Sequence, residues 1–254
     1  MIVGIDVGGT NTDIAILEGS KFRTESYRTS EVLRNFSDFI KKSFGDAQAV
    51  GIGLAVWFVD GEAVKAPNLP AIPAIELDIP FILDNDANCF AYFSAKSLNF
   101  RHLLGVTVGT GVGGGIVADG RVYRGRGAAG EIGHTYVGGE KICKCGGRGH
   151  LEAYFGGWSL KNIKELVESG EIYGMAEFTL FCQSIANAVM ILNPEAVAIG
   201  GRIGGRLDER LVGEKVSIYL PDEIDVAVKT VRDDYAVAKG AALLALDAIS
   251  QNQP

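Results

Sequence analysis

The sequence lacks several features that would have pointed elsewhere. It has no basic excess: 24 Lys and Arg stand against 31 Asp and Glu, a formal net charge of −7, so the electrostatic footprint of a nucleic-acid or anionic-membrane binder is missing. No apolar run approaches the roughly 18 residues that a membrane-spanning helix needs, and the start, Met1-Ile-Val-Gly-Ile-Asp6, has no basic leader. A soluble, cytoplasmic protein with no membrane or nucleic-acid partner is expected. Neither glycine cluster ends in Gly-Lys-Ser/Thr, which excludes a P-loop, and there is no low-complexity linker. Histidines number three and cysteines four. The pair Cys143-Lys-Cys145 is too tight for an easy structural disulfide, which favours a reducing compartment and a metal site.

Glycine is abundant instead: 34 in 254 residues, roughly twice the usual share of about 7%, in short clusters where backbone must approach something closely. An apolar run over residues 2–7 ends in Gly8-Gly9-Thr10, and apolar residues resume over 13–17, the pattern of two strands joined by a glycine turn. The stretch 4–19 can be laid over 105–120 without a gap, which predicts two similar half-molecules. Helices are expected over 30–44, 87–95, 175–192 and 236–249, strands over 49–56, 79–83 and 196–199, and a proline-rich loop over 67–73. Cys182 falls on the apolar stripe of the 175–192 helix and reads as core. Strands alternating with helices predict an α/β protein of two lobes with duplicated βαβ-type halves and a cleft between them. The expected lobes are 1–104, joined by the closing helix at 236–250, and 105–235.

Three groups of residues suggest chemistry. The turns Asp6-Val-Gly8-Gly9-Thr10-Asn11-Thr12 and Val108-Gly109-Thr110-Gly111 can point backbone N–H groups at an anion, with hydroxyls of Thr10, Thr12 and Thr110 as further donors. Two such turns facing one cleft suit a polyphosphate, with ordinary hairpins as the alternative, and Asp6 is placed to hold Mg²⁺ directly or through water. Asp84-Asn85-Asp86 follows a predicted strand and opens a predicted helix. A carboxylate there is either the general base of phosphoryl transfer or a helix N-cap, and spacing leaves both open. His134, Cys143, Cys145 and His150 follow the spacing H-x8-C-x-C-x4-H; two imidazoles and two thiolates suit a structural Zn²⁺, the alternative being incidental buried residues. His102 has no such companions and reads as a surface or core histidine.

In this order the motifs resemble those of the ROK family of bacterial and archaeal sugar kinases, which have the two-lobed actin-like ATPase (ribonuclease H-like) fold. The resemblance is carried by the two glycine turns, Asn85-Asp86, Ala129-Gly-Glu131-Ile-Gly-His134 with Cys143-x-Cys145-Gly-x-x-Gly-x-x-Glu152, Leu192-Asn-Pro-Glu-Ala-Val-Ala-Ile-Gly200-Gly201 and Lys239-Gly-Ala-Ala, so it covers nearly the whole chain. It implies Asp86 as the base that activates a hexose hydroxyl, the 6-hydroxyl, for attack on the γ-phosphate of ATP. It also implies that Asn68, Asn85, Glu131, His134 and Glu152 hold the sugar, that adenosine packs at Gly200 and Gly201, and that the protein is a homodimer. His134 would place one ring nitrogen on zinc and the other toward the sugar. The implied acceptor is glucose or a related hexose, with N-acetylhexosamine as a variant and a non-catalytic sugar or nucleotide sensor as the alternative. Three departures stand out: His150 occupies the place of the family's usual third cysteine, Ala55–Asp60 replaces the Pro-Gly-Pro turn of many relatives, and the 157–175 segment is short. The first phosphate strand begins at residue 2, so the helix-turn-helix of the family's repressors is not expected.

Overall fold

Apolar residues at nearly every position make Ile2–Val7 a strand buried on both faces (β1). In the computed structural model, which describes residues 1–66, 69 and 71–251, the chain returns antiparallel through Asn11–Glu18 (β2) and again through Lys21–Arg28 (β3). Charged side chains spaced along β3 suit its place at a sheet edge. Two helices follow, Thr29–Val32 (α1) and Phe36–Phe44 (α2), separated by a 3-10 turn at Leu33–Asn35 that interrupts the single helix expected over 30–44. Next come Ala49–Leu54 (β4), a small hairpin of Trp57–Val59 (β5) and Glu62–Lys65 (β6), Phe81–Asn85 (β7) and the helix Asp86–Leu98 (α3). The sheet order is β3-β2-β1-β4-β7, with β1, β4 and β7 parallel. Pro67, Asn68 and Pro70 lie outside the described residues, and with them the expected sugar contact of Asn68.

The second sheet repeats the first. Leu103–Val108 (β8), Val112–Ala118 (β9) and Arg121–Tyr123 (β10) form an antiparallel trio. The helices Glu152–Phe155 (α4), Ile163–Ser169 (α5) and Ala176–Leu192 (α6) lead to Ala196–Gly200 (β11); Gly201–Gly204 (α7) and Glu209–Ser217 (α8) lead to Ala227–Thr230 (β12), before Ala236–Gln251 (α9) closes the described chain. The order β10-β9-β8-β11-β12 and its strand senses match those of the first sheet. The duplication is not gapless, however. Val7 pairs with Thr12, whereas Val108 pairs with Val112, so the second turn is one residue shorter. Because side chains alternate across a strand, that residue changes which of them face the core.

By packing, one compact unit comprises Met1–Phe93, Gly125–Ala128 and Tyr235–Pro254, and the other Ser94–Arg124 and Ala129–Asp234. In the first, the alanine-rich α9 lies against β1 and β4 at backbone contact. A Cβ on Gly4 or Gly51 would fall 1.9 Å from the carbonyl oxygens of Ala238 and Ala241, so both strands need glycine there. In the second, Phe178, Phe181, Cys182, Ile185 and Val189 make the buried stripe of α6, with Phe181 stacked on Phe155 at 4.4 Å. Burial pushes the Cys182 thiol up to about 12, as befits a core residue. Among the described residues no helix is long and apolar enough to cross a membrane.

Candidate active site and metal cluster

In the first unit, Gly8–Asn11 turns β1 into β2, with the Gly8 N–H on the Asn11 carbonyl at 3.0 Å and Gly9 and Thr10 exposed at its tip. Asp6 lies partly buried on β1 beside Asp13 and Gly53. Thr12, expected to offer its hydroxyl to phosphate, is instead fully buried beneath the turn, 3.1 Å from the Thr29 hydroxyl, which donates to the Gly8 carbonyl at 2.7 Å. It therefore supports the turn from below.

Asp84-Asn85-Asp86 spans the junction of β7 and α3. Asn85, rather than either aspartate, caps the helix: its Oδ1 accepts from the backbone N–H groups of Ala87 at 2.8 Å and Asn88 at 3.4 Å. Its Nδ2 donates to the Val56 carbonyl at 2.9 Å, so this buried amide, expected on the sugar, is engaged by the protein itself. Asp84 is buried and accepts from the Asn85 backbone and from Asn88 Nδ2, both at 2.8 Å. Asp86, at the first turn of α3, accepts from the Ala87 N–H on Oδ1 at 2.9 Å. Loss of bulk water pushes its carboxyl up to about 6, partly offset by backbone hydrogen bonds. A carboxylate of that basicity can hold a proton near neutral pH.

In the second unit, the Glu131–His134 segment crosses β9 at backbone contact: a Cβ on Gly133 would lie 1.9 Å from the Val112 carbonyl. Glu131, partly buried, precedes the 3-10 turn Ile132–His134. The ligand atoms of His134, Cys143, Cys145 and His150 all lie within 4.8 Å of one another. His134 Nδ1 is 3.7 Å from Cys143 Sγ and His150 Nδ1 is 3.2 Å from Cys145 Sγ, which places both Nδ1 atoms at the cluster. An S₂N₂ set of this compactness fits zinc. Burial pushes the Cys143 thiol up to about 12, so it ionises only with a cation beside it. Glu152, 2% exposed, is likewise enclosed by protein donors: Val112 N–H on Oε2 at 3.0 Å and Trp158 Nε1–H on Oε1 at 3.1 Å. Trp158 was not visible as a site residue in the sequence, because its partner carboxylate lies in another motif.

The turn Gly109–Gly111 closes with the Gly109 N–H on the Gly111 carbonyl at 3.0 Å, and Thr110 is exposed. Gly201, with φ +83°, sits against the Val108 backbone just before that turn. Beside Gly201 lies a cavity of about 370 Å³ whose lining includes Arg202, Arg206, Val231, Arg232, Asp233 and Asp234. Among the outlying residues, His102 is a surface group, half exposed and 3.6 Å from Asp119.

The model of the ROK family matches residues 2–248. The chain belongs to the ROK family. Among the relatives, the N-acetyl-D-glucosamine kinase of Photobacterium profundum is 28% identical over 96% of this chain and 99% of its own. The crystal structure of the ROK hexokinase from Thermus thermophilus aligns with a TM-score of 0.81 at 24% identity, covering 98% of this chain and 99% of that one. A ROK family glucokinase from Streptomyces griseus, in complex with glucose and AMPPNP, aligns with a TM-score of 0.74 at 22% identity over 97% and 99%. The fold is therefore the two-lobed actin-like ATPase fold of ROK kinases, and its duplicated sheets are the two of identical order described above.

Proposed function

We propose that this ROK protein is an ATP-dependent sugar kinase in which Asp86 is the general base. The observation that carries the proposal is the position of Asp86. It opens a helix capped by its neighbour Asn85, and its carboxyl is made basic enough to take a hydroxyl proton. As the sugar oxygen attacks the γ-phosphorus, the O–H proton passes to an Asp86 oxygen, the new P–O bond forms, and the bond to the ADP oxygen breaks. The turns at Gly8–Asn11 and Gly109–Gly111, with the hydroxyls of Thr10 and Thr110, hold the phosphates, and adenosine lies in the cavity beside Gly201. Asp6 is the residue to hold Mg²⁺, which when bound neutralises phosphate charge. Glu131 and His134 bind hydroxyls of the sugar, His134 through Nε2, since its Nδ1 faces the Cys/His cluster.

His134, Cys143, Cys145 and His150 would hold a structural Zn²⁺, which when bound fixes the ring of His134 for that task. The acceptor class is a hexose or an N-acetylhexosamine; the full-length likeness to an N-acetyl-D-glucosamine kinase favours testing the acetylated sugar beside glucose. A coupled ADP-release assay with Mg-ATP and a panel of glucose, mannose, fructose, N-acetylglucosamine and N-acetylmannosamine tests the proposal. Sugar-dependent ADP release is expected, and release with no member of the panel from folded protein would overturn it.

A further inference from the structure

Buried polar contacts from several segments of the second unit converge on Glu152. Its side chain is 2% exposed, yet two donors from two segments meet its two oxygens. Val112 N–H, the first residue after the Gly109–Gly111 turn, reaches Oε2 at 3.0 Å and Trp158 Nε1–H reaches Oε1 at 3.1 Å, while Sγ of the cluster residue Cys143 lies 3.7 Å from the same Oε1. The strap that carries Trp158 binds the turn a second time. Gly157 N–H donates to the Gly109 carbonyl at 3.0 Å and Trp158 N–H to the Thr110 carbonyl at 2.9 Å. The Ser159 hydroxyl fixes the strap to the end of α4, its one proton shared between the Glu152 and Gly156 carbonyls at 2.7 and 2.9 Å. Lys144, between the two cluster cysteines, lies 5.2 Å over the Trp158 ring.

These contacts bear on the direction of the turn's amides. In a trans peptide the C=O and the following N–H point in opposite directions. Holding the Gly109 and Thr110 carbonyls toward the strap turns the N–H groups of Thr110 and Gly111 away from it, as two neighbouring donors on the outer side, the arrangement that cradles an anion. Glycine at 109 and 111 would otherwise let those peptide planes rotate.

We propose that Glu152 and Trp158 are positioning residues that lock the Gly109–Gly111 turn in its anion-cradling form and tie it to the Cys/His cluster, so that nucleotide affinity depends on both. This role rests on the sugar-kinase reading and gives Glu152 a part on the nucleotide side of that site, by way of the turn, beside the sugar contact implied by the family resemblance.

The test compares Trp158→Phe, which keeps the ring and loses the N–H, with Glu152→Gln, which keeps the shape but turns an NH₂ toward one of the converging donors. Titration calorimetry with Mg-ADP reads the turn without requiring the sugar to be known. Trp158→Phe should weaken Mg-ADP binding by roughly 5- to 20-fold, the loss of one hydrogen bond to a charged group, and raise KM for ATP while KM for the sugar and zinc content stay within about twofold. Glu152→Gln should weaken it further; if that variant does not fold, Trp158→Phe decides. In a Trp57→Phe background Trp158 is the sole indole, the chain having two, and its fluorescence should shift on adding Mg-ADP and on removing zinc. Wild-type Mg-ADP affinity in folded Trp158→Phe, or equal rises in both KM values, would overturn the inference and leave the kinase proposal standing. Failure of the wild-type protein to bind Mg-ADP would overturn both.

Discussion

Asn85 donates its side-chain amide to the carbonyl oxygen of Val56 at 2.9 Å. The bond joins the segment after β4 to the cap of the helix that presents Asp86. One amide thus serves two elements, because its oxygen accepts from the Ala87 and Asn88 backbone while its nitrogen donates to Val56. Asn85→Ala removes all three bonds and orphans a buried carbonyl, an expected cost of about 2 kcal/mol. Asn85→Asp keeps the cap but sets a carboxylate oxygen against the Val56 carbonyl. Thermal melts should show both variants destabilised, and kcat should fall in each because the first turn of α3 carries Asp86. A wild-type melting temperature for Asn85→Asp would contradict this account.

The raised pKa of Asp86 gives two pH predictions. Turnover should rise as the pH passes through about 6, where the carboxyl in the folded protein ionises and becomes able to take a proton. For stability the sign is the reverse. The folded pKa lies above the ordinary 3.8, so stability is full below that value and declines as the pH rises toward about 6, beyond which the charged, partly desolvated group destabilises the fold. Asp86→Asn should therefore raise stability at pH 8, by on the order of 2 kcal/mol, leave it little changed at pH 4, and reduce kcat by at least 100-fold. Urea unfolding at the two pH values checks the first part.

Thr12 and Thr110 were both expected to offer a hydroxyl to phosphate, and they separate in the structure. Thr12 is fully buried against Thr29, while Thr110 is exposed at the tip of its turn. Thr12→Val should lower stability by about 1 kcal/mol, the worth of one buried hydrogen bond. Thr110→Val should raise KM for ATP several-fold with little change in melting temperature. Steady-state kinetics and melts on the same preparations distinguish the two.

Metal analysis of the purified protein should find about one zinc per chain. Cys143→Ala should lower metal content and melting temperature together, since binding is coupled to folding. An equally stable, metal-free protein would contradict the cluster's proposed role.

Much of the fold was legible because its signals are local. Apolar runs broken by glycine marked β1 and β8, three- and four-residue apolar spacing marked α6, and the glycine repeat predicted two similar halves, which the structure builds as two sheets of the same order. Contacts between distant segments left no such trace. The Thr12 hydroxyl meets Thr29, 17 residues on, and Glu152 meets Val112, 40 residues back; neither pairing has a spacing rule. The shorter second turn was hidden because a gapless overlay cannot reveal pairing register. The split of 30–44 into two helices reflects where Leu33–Asn35 tightens, which side-chain periodicity does not encode. The Cys/His residues gather because their spacing is short and glycines let the loop fold back.

The most direct measurement is phosphorus NMR of the purified protein with Mg-ATP and glucose or N-acetylglucosamine, run beside Asp86→Asn. Phosphoryl transfer with Asp86 as base predicts a sugar 6-phosphate ester growing as ATP is converted to ADP, and almost none from the variant. No ester with either sugar, or equal ester from Asp86→Asn, would contradict it.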